Sequence, residues 1–332
     1  MNKKVLITGV AGLLGANFSR YLISKGFTVS GIDDLSGGYL ENIPDECKFY
    51  NFNLTNIAKV NEVFSIEKPD YVYHFAAYAA EGLSPFIRNF NYTNNLLSSV
   101  NIINACINNN TKKIIFTSSM AVYGEGSPPF EEDQLPKPED PYGIAKYAVE
   151  LDLALARKQF GLDYSIVRPH NVVGIYQNIW DKYRNVIGIW IRQAIAGEPL
   201  TIFGDGSQTR AFSDISFYNE PFEKLMTQHS GEIFNIGADM PFTIDEVSRI
   251  VMSVAKDHGF DTTRKFLEPR NEVHQAYCNH DKAKELLSFN DQTDLKESIY
   301  KMFAWAMNQK NKDVFYINYE VSKNIYDFWK KK

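Results

Sequence analysis

The run Gly9-Val10-Ala11-Gly12-Leu13-Leu14-Gly15 separates a short apolar stretch, residues 5–10, from an amphipathic one, residues 13–25. A strand that turns through spaced glycines into a helix restricts the choice of fold sharply. Gly9 permits the tight turn. Gly12 lets the backbone approach a pyrophosphate, whose charge then rests on the helix N-terminus. Gly15 lets that helix pack closely on the strand. A second strand pattern, residues 28–33, ends in Asp33, 18 residues beyond Gly15. An acid there accepts hydrogen bonds from an adenosine ribose and repels a 2′-phosphate, so the expected cofactor is NAD rather than NADP.

The rest of the first half keeps the same rhythm. Strands are expected at 48–53, 71–77, 113–119 and 164–168, and helices at 57–66, 90–108 and 142–160. Such alternation predicts an α/β chain with a Rossmann-type doubly wound parallel sheet, whose ligands bind at the carboxyl ends of the strands. After residue 169 the rhythm breaks. A helix at 185–196, a strand at 200–203 and helices at 245–256 and 281–287 suggest a smaller mixed α/β unit. The expected division is an NAD-binding domain, 1–170, and a C-terminal substrate domain, 171–332, with segments near 211–236 returning to the first. The proline- and acid-rich stretch 127–141 reads as an exposed loop. The aromatic stripe 315–329 reads as core and C-terminal helix packing. Lys330–Lys332 reads as a solvated tail.

Composition narrows the function classes. The net charge of −5 supplies no basic field, so nucleic acid is not an expected partner. Cys47, Cys106 and Cys278 form no CxxC pair and no even-numbered framework, which suits a reducing, cytoplasmic setting. No metal site is expected. No run of 18 apolar residues occurs, so no membrane span is expected, and the apolar stretch after Lys3-Lys4 reads as the first strand rather than a leader.

Tyr142-Gly-Ile-Ala-Lys146 opens an expected helix, where i and i+4 share a face. A lysine beside a phenol favours the phenolate, giving a base able to take a hydroxyl proton during hydride transfer. Ser119 ends a strand upstream and is placed to orient the same hydroxyl. His74 reads as a strand-end core residue.

These segments, together with HFAA at 74–77, TSSMAVYG at 117–124, RPHNVVG at 168–174 and LTIFGDGSQTRAF at 200–212, resemble the extended short-chain dehydrogenase/reductase family. The pattern is most similar to that of the UDP-glucose 4-epimerases and runs from Lys3 to about Phe289. The resemblance implies a catalytic triad of Ser119, Tyr142 and Lys146. It implies cofactor contacts at Leu13, Leu14, Asp33, Asn53, Leu54, Phe75, Asn95 and His170, besides Tyr142 and Lys146. It implies substrate contacts at Asn171, Arg210 and Arg270, besides Ser119 and Tyr142. Two departures stand out. The resemblance implies a lysine where Ala79 stands, which removes one cofactor contact. The segment Pro269-Arg270-Asn271-Glu272 carries its arginine one place off the family spacing.

The resemblance also bears on the reaction. Relatives that eliminate water or carbon dioxide place an acid just before the Val-Tyr-Gly triplet, where Met120 and Ala121 stand here. The expected activity is therefore NAD-dependent C4 epimerisation of a nucleoside-diphosphate sugar, a UDP-hexose, through a 4-keto intermediate. The alternatives are a net nucleotide-sugar reductase or dehydrogenase, and a non-catalytic nucleotide-binding protein of the same fold. Counting from Glu272 puts the position that admits or excludes a 2-acetamido group at Ala276, next to Tyr277. A homodimer is implied, paired through helices 90–108 and 142–160.

Overall fold

The computed structural model describes residues 3–270, 273–310, 312–314 and 317–330. Seven strands form the central sheet: β1 (Lys4–Thr8), β2 (Thr28–Asp33), β3 (Lys48–Asn51), β4 (Tyr71–His74), β5 (Lys113–Thr117), β6 (Asp163–Pro169) and β7 (Ile233–Ile236). Their order is 3-2-1-4-5-6-7, with every neighbouring pair parallel. The order reverses between β1 and β4, and the crevice opens there.

Side chains alternate along each strand and supply two cores. Val5, Ile7, Tyr73 and Ile115 face one way, under α1 (Leu13–Ser24) and the helix Asn219–Leu225, with Phe18 and Phe222. Leu6, Val72, Ile114 and Phe116 face the other, under α2 (Ile57–Glu67), α3 (Ser98–Asn108) and α4 (Pro141–Phe160). Burial on both faces explains why these strands read as continuous apolar runs. A third core, with Trp190, Ile191, Val247 and Phe303, lies in the second lobe between the helices Val186–Ile195, Ile244–Asp257 and Leu295–Met307.

Four elements differ from the sequence expectation. The helix expected over 90–108 is three pieces: an α turn at Arg88–Tyr92, a π turn at Thr93–Leu97, then α3. β7 was not anticipated, nor was the helix Leu295–Met307. Among its described residues the stripe 315–329 makes only a 3-10 turn, Asp327–Trp329, and Phe315 and Tyr316 lie outside the described residues. Trp329 is instead buried in a small aromatic cluster with Phe86, Tyr183 and Tyr326. Asn324 turns through a left-handed conformation, φ 60°, which interrupts any helix there. No helix among the described residues is long and apolar enough to cross a membrane.

Candidate active site

A cleft of about 960 Å³ runs along the carboxyl ends of the strands and between the lobes. The size suits an organic ligand. The glycine turn forms its floor. Gly9 has φ +73°, and a Cβ on it would lie 2.7 Å from the Ala76 nitrogen. A Cβ on Gly15 would lie 2.2 Å from the Gly9 carbonyl oxygen, so any side chain there would push α1 off the sheet. At Gly12, the first residue before α1, no side chain caps the helix. A Cβ there would meet only the Gly9 oxygen at 3.5 Å, so the approach to the helix N-terminus stays open. These features fit a dinucleotide pyrophosphate. Asp33 ends β2 and accepts hydrogen bonds from Ala11 N at 3.0 Å and Leu35 N at 2.8 Å. Burial raises its pKa against those two bonds. Leu13, Leu14, Asn53, Leu54, Phe75 and His170 all line the same cleft.

Asn95 does not. It is buried, takes the Tyr78 N–H at 2.8 Å and donates to Asn91 Oδ1 at 2.8 Å. Its neighbour Asn94 lines the cleft instead and accepts from Asn53 Nδ2 at 3.2 Å. Both asparagines lie in one π turn, Thr93–Leu97, with Asn94 facing the cleft and Asn95 turned into the fold.

Tyr142, Lys146 and Ser119 come together at the mouth of β5. Asp140 caps α4, accepting from Tyr142 N at 2.8 Å and Gly143 N at 3.0 Å, which fixes the first turn. Burial pushes the phenol pKa above its ordinary value, while the nearby Ser119 hydroxyl and the Arg184 charge pull it down. This corrects the expected direction: at Tyr142, burial outweighs any help from Lys146. Lys146 is itself buried, donates to the Thr117 carbonyl at 2.7 Å and stands 4.7 Å from the Phe116 ring centre. Burial lowers its pKa to about 7, opposed by Glu150. Between pH 7 and 10.5 the unfolded chain therefore holds the lysine proton more tightly, and this group's cost to stability fades as pH rises through that window. Lys146→Met is expected to raise the melting temperature at pH 7, with a smaller gain at pH 9.5, while turnover is lost. An equal gain at both pH values would show that the ammonium is not what costs stability.

His74 uses both ring nitrogens inside the fold, 2.6 Å from Thr8 Oγ1 and 2.8 Å from Ser99 Oγ, so it has no part in the cleft chemistry. His170 stacks on His280 with ring centres 5.0 Å apart.

The far end of the cleft belongs to the second lobe. Arg210, on the strand Thr209–Ala211, donates to the carbonyls of Thr209 at 2.8 Å and Val273 at 2.7 Å. Arg270 lies 4.1 Å over the Phe203 ring. Asn171 donates to the Ala211 carbonyl at 3.1 Å. Ala276 pairs with Arg210 across parallel strands and lines the cleft, whereas Tyr277 is not among the lining residues. Asn271 and Glu272 lie outside the described residues.

Several lining residues escaped the sequence reading. Residues 120 and 121 carry no acid, yet Glu81, Glu125, Glu139 and Asp140 line the cleft, and the charge of Glu81 raises the Tyr142 pKa. Arg184 arrives from the segment after residue 174. Only Asp140 left a readable signal, as a capping residue before Pro141. Beneath the site, Arg168 and Glu150 form a buried ion pair, Nη2 to Oε2 at 2.6 Å. Arg168 also donates to the Tyr123 phenol oxygen at 2.8 Å, and the Ser118 hydroxyl donates to Glu150.

Glycine turn, strand-end acid and a Ser-Tyr-Lys group on one parallel sheet define a dinucleotide-dependent enzyme of the extended short-chain dehydrogenase/reductase class. Residues 5–237 match the model of the NAD dependent epimerase/dehydratase family, and the chain belongs to that family. It is 28% identical to a UDP-glucose 4-epimerase of Mycolicibacterium smegmatis, over 92% of this chain and 99% of that one. The crystal structure of a Thermotoga maritima UDP-glucose 4-epimerase with UDP-glucose superposes with a TM-score of 0.86 at 29% identity, over 92% and 98% of the two chains. A UDP-N-acetylglucosamine 4-epimerase from Methanobrevibacter ruminantium, in complex with UDP-N-acetylmuramic acid, gives 0.85 at 29% identity, over 93% and 99%.

Proposed function

We propose that this enzyme epimerises C4 of a nucleoside-diphosphate hexose of the UDP-glucose/UDP-galactose type, through a 4-keto sugar. The reading is carried by one observation: Ser119, Tyr142 and Lys146 face a single cleft that joins the glycine turn to Arg210 and Arg270. NAD, when bound, supplies reversible hydride acceptance, and its chemistry is the cofactor's own. The protein's residues supply position and proton transfer. Ser119 orients the C4 hydroxyl, Tyr142 takes its proton and later returns one, and Lys146, fixed on the Thr117 carbonyl, sets its ammonium beside the base. Asn171, Arg210 and Arg270 would hold the diphosphate and sugar. Incubation with a panel of UDP-hexoses, read by NMR, should give C4 epimers with no net NADH. Stoichiometric NADH release would establish a dehydrogenase instead.

Ala276 extends the reading to N-acetylhexosamines, because a methyl group leaves room for a 2-acetamido substituent. Ala276→Tyr should depress turnover of UDP-N-acetylglucosamine about 10- to 100-fold relative to UDP-glucose, the usual cost of overfilling a packed wall. Equal effects on both substrates would remove residue 276 as the gate.

The assembly proposed is a cytoplasmic homodimer. Leu97, Ile144, Leu151 and Leu155 are exposed around α3 and α4, an apolar stripe that a second copy would cover. Light scattering should give a two-subunit mass, reduced to one by Leu151→Asp with Leu155→Asp. A parent protein that stays monomeric at all concentrations would refute the pairing.

A further inference from the structure

We infer that Arg184, carried by the second lobe, clamps the bridging diphosphate of the dinucleotide. The cations lining the cleft, among the described residues, are Lys146, Arg184, Arg210 and Arg270. Lys146 is committed to the Thr117 carbonyl. Arg210 and Arg270 occupy the far end, on the Thr209 and Val273 carbonyls and on the Phe203 ring. Of these four, only Arg184 stands by the turn after β2 and acts on the strand-end acid.

Its position is held from several sides. Its Nε donates to Asp181 Oδ2 at 2.9 Å, and its side chain is 11% exposed. The guanidinium lies 4.6 Å over the Tyr78 ring, in the segment after β4. On the other side it reaches the turn after β2, where a Cβ on Gly37 would come within 2.5 Å of Nη2. Its charge lowers the pKa of both Asp33 and Tyr142, so the field spans the cleft from the ribose end to the reacting end. The supporting loop is pinned to the same turn: Asn178 Nδ2 donates to the Gly37 carbonyl at 3.1 Å, and the Tyr39 hydroxyl to Asn178 Oδ1 at 2.8 Å.

The chemistry that fits this point is a diphosphate. A dinucleotide lying from Asp33 to Tyr142 carries two negative charges across a stretch that already holds Asp33, Asp34 and Glu81. The helix N-terminus offers about half a charge in return. Ala79 and Gly12 offer none. Asp181 uses Nε, which leaves both Nη groups of a planar donor fork for phosphate oxygens. Because Arg184 belongs to the second lobe, its bond would tie that lobe over the cofactor and slow cofactor escape.

The test rests on NAD binding and is independent of which sugar is turned over. Protein stripped of dinucleotide is titrated calorimetrically with NAD, ADP-ribose, adenosine (by competition) and UDP. Arg184→Gln should weaken NAD and ADP-ribose about 10- to 100-fold, the range for charge-assisted bonds, and leave adenosine and UDP within about twofold. Arg184→Lys, which keeps charge and bulk, should recover only part of the loss and serves if the glutamine variant does not fold. Equal weakening of adenosine and NAD would mean a structural role. A loss confined to UDP would place the arginine on the substrate. Either result overturns the inference.

Discussion

Tyr142→Phe should lower turnover by about 10²- to 10⁴-fold, the usual contribution of a positioned acid–base group, while NAD binding stays within a few-fold of the parent. The phenol is buried, so the phenylalanine ring fills the same space and no cavity opens. Only the proton acceptor, with the Ser119 hydroxyl near it, is lost. Stopped assays by NMR measure the first quantity and calorimetry the second. Activity within a few-fold of the parent would show that another group takes the proton. The pH profile sharpens the test. Burial holds the Tyr142 phenol above its ordinary pKa, so the basic form must be favoured by what binds beside it. The parent should therefore show an alkaline rise in kcat/KM, and the variant none.

Arg168→Met should destabilise the fold by about 3–5 kcal/mol, the range for stranding one partner of a buried ion pair. Glu150 would keep only the Ser118 hydroxyl as a hydrogen-bond donor among the described residues, with the Lys146 charge nearby, and Tyr123 would lose a donor. Thermal unfolding should show a fall of about 10 °C, given a few degrees per kcal/mol at this size. The partner test is a double replacement, Arg168→Met with Glu150→Leu, which removes both charges and should recover much of the loss. If the double variant is no better than the single, the pair is not the source of the cost. Ser118 adjoins Ser119, so the single variant should also disturb the catalytic strand end.

How much of the molecule is legible in its sequence depends on how local each determinant is. The β1–α1–β2 unit is readable because its glycines, its apolar run and Asp33 all lie within one short stretch. Tyr142 and Lys146 are readable because helical spacing alone puts them on one face. Asn95 is implied as a cofactor contact by the resemblance alone, and nothing in Thr93-Asn94-Asn95-Leu96-Leu97 tells which of its two asparagines faces the cleft. The direction of the Tyr142 pKa is not legible either, because burial is a property of the assembled cleft, not of a pair of residues. β7 escapes notice because four residues, Ile233–Ile236, carry too little pattern outside the alternating half. Arg184 and Glu81 matter only through where distant loops converge, which no local pattern encodes.

The late arrival of β7 bears on how the chain is made. β6 is complete at Pro169, but its outer neighbour lies more than sixty residues downstream, with the start of the second lobe in between. A nascent chain that has emerged only as far as residue 170 carries β6 as a bare edge, with open hydrogen-bonding groups along one side. The nucleotide-binding half thus stays unfinished at the ribosome until Ile236 has emerged, and by then the strand Leu200–Phe203 is also available. Synthesis would couple the two lobes, so that neither half is delivered as a finished unit before the other has begun.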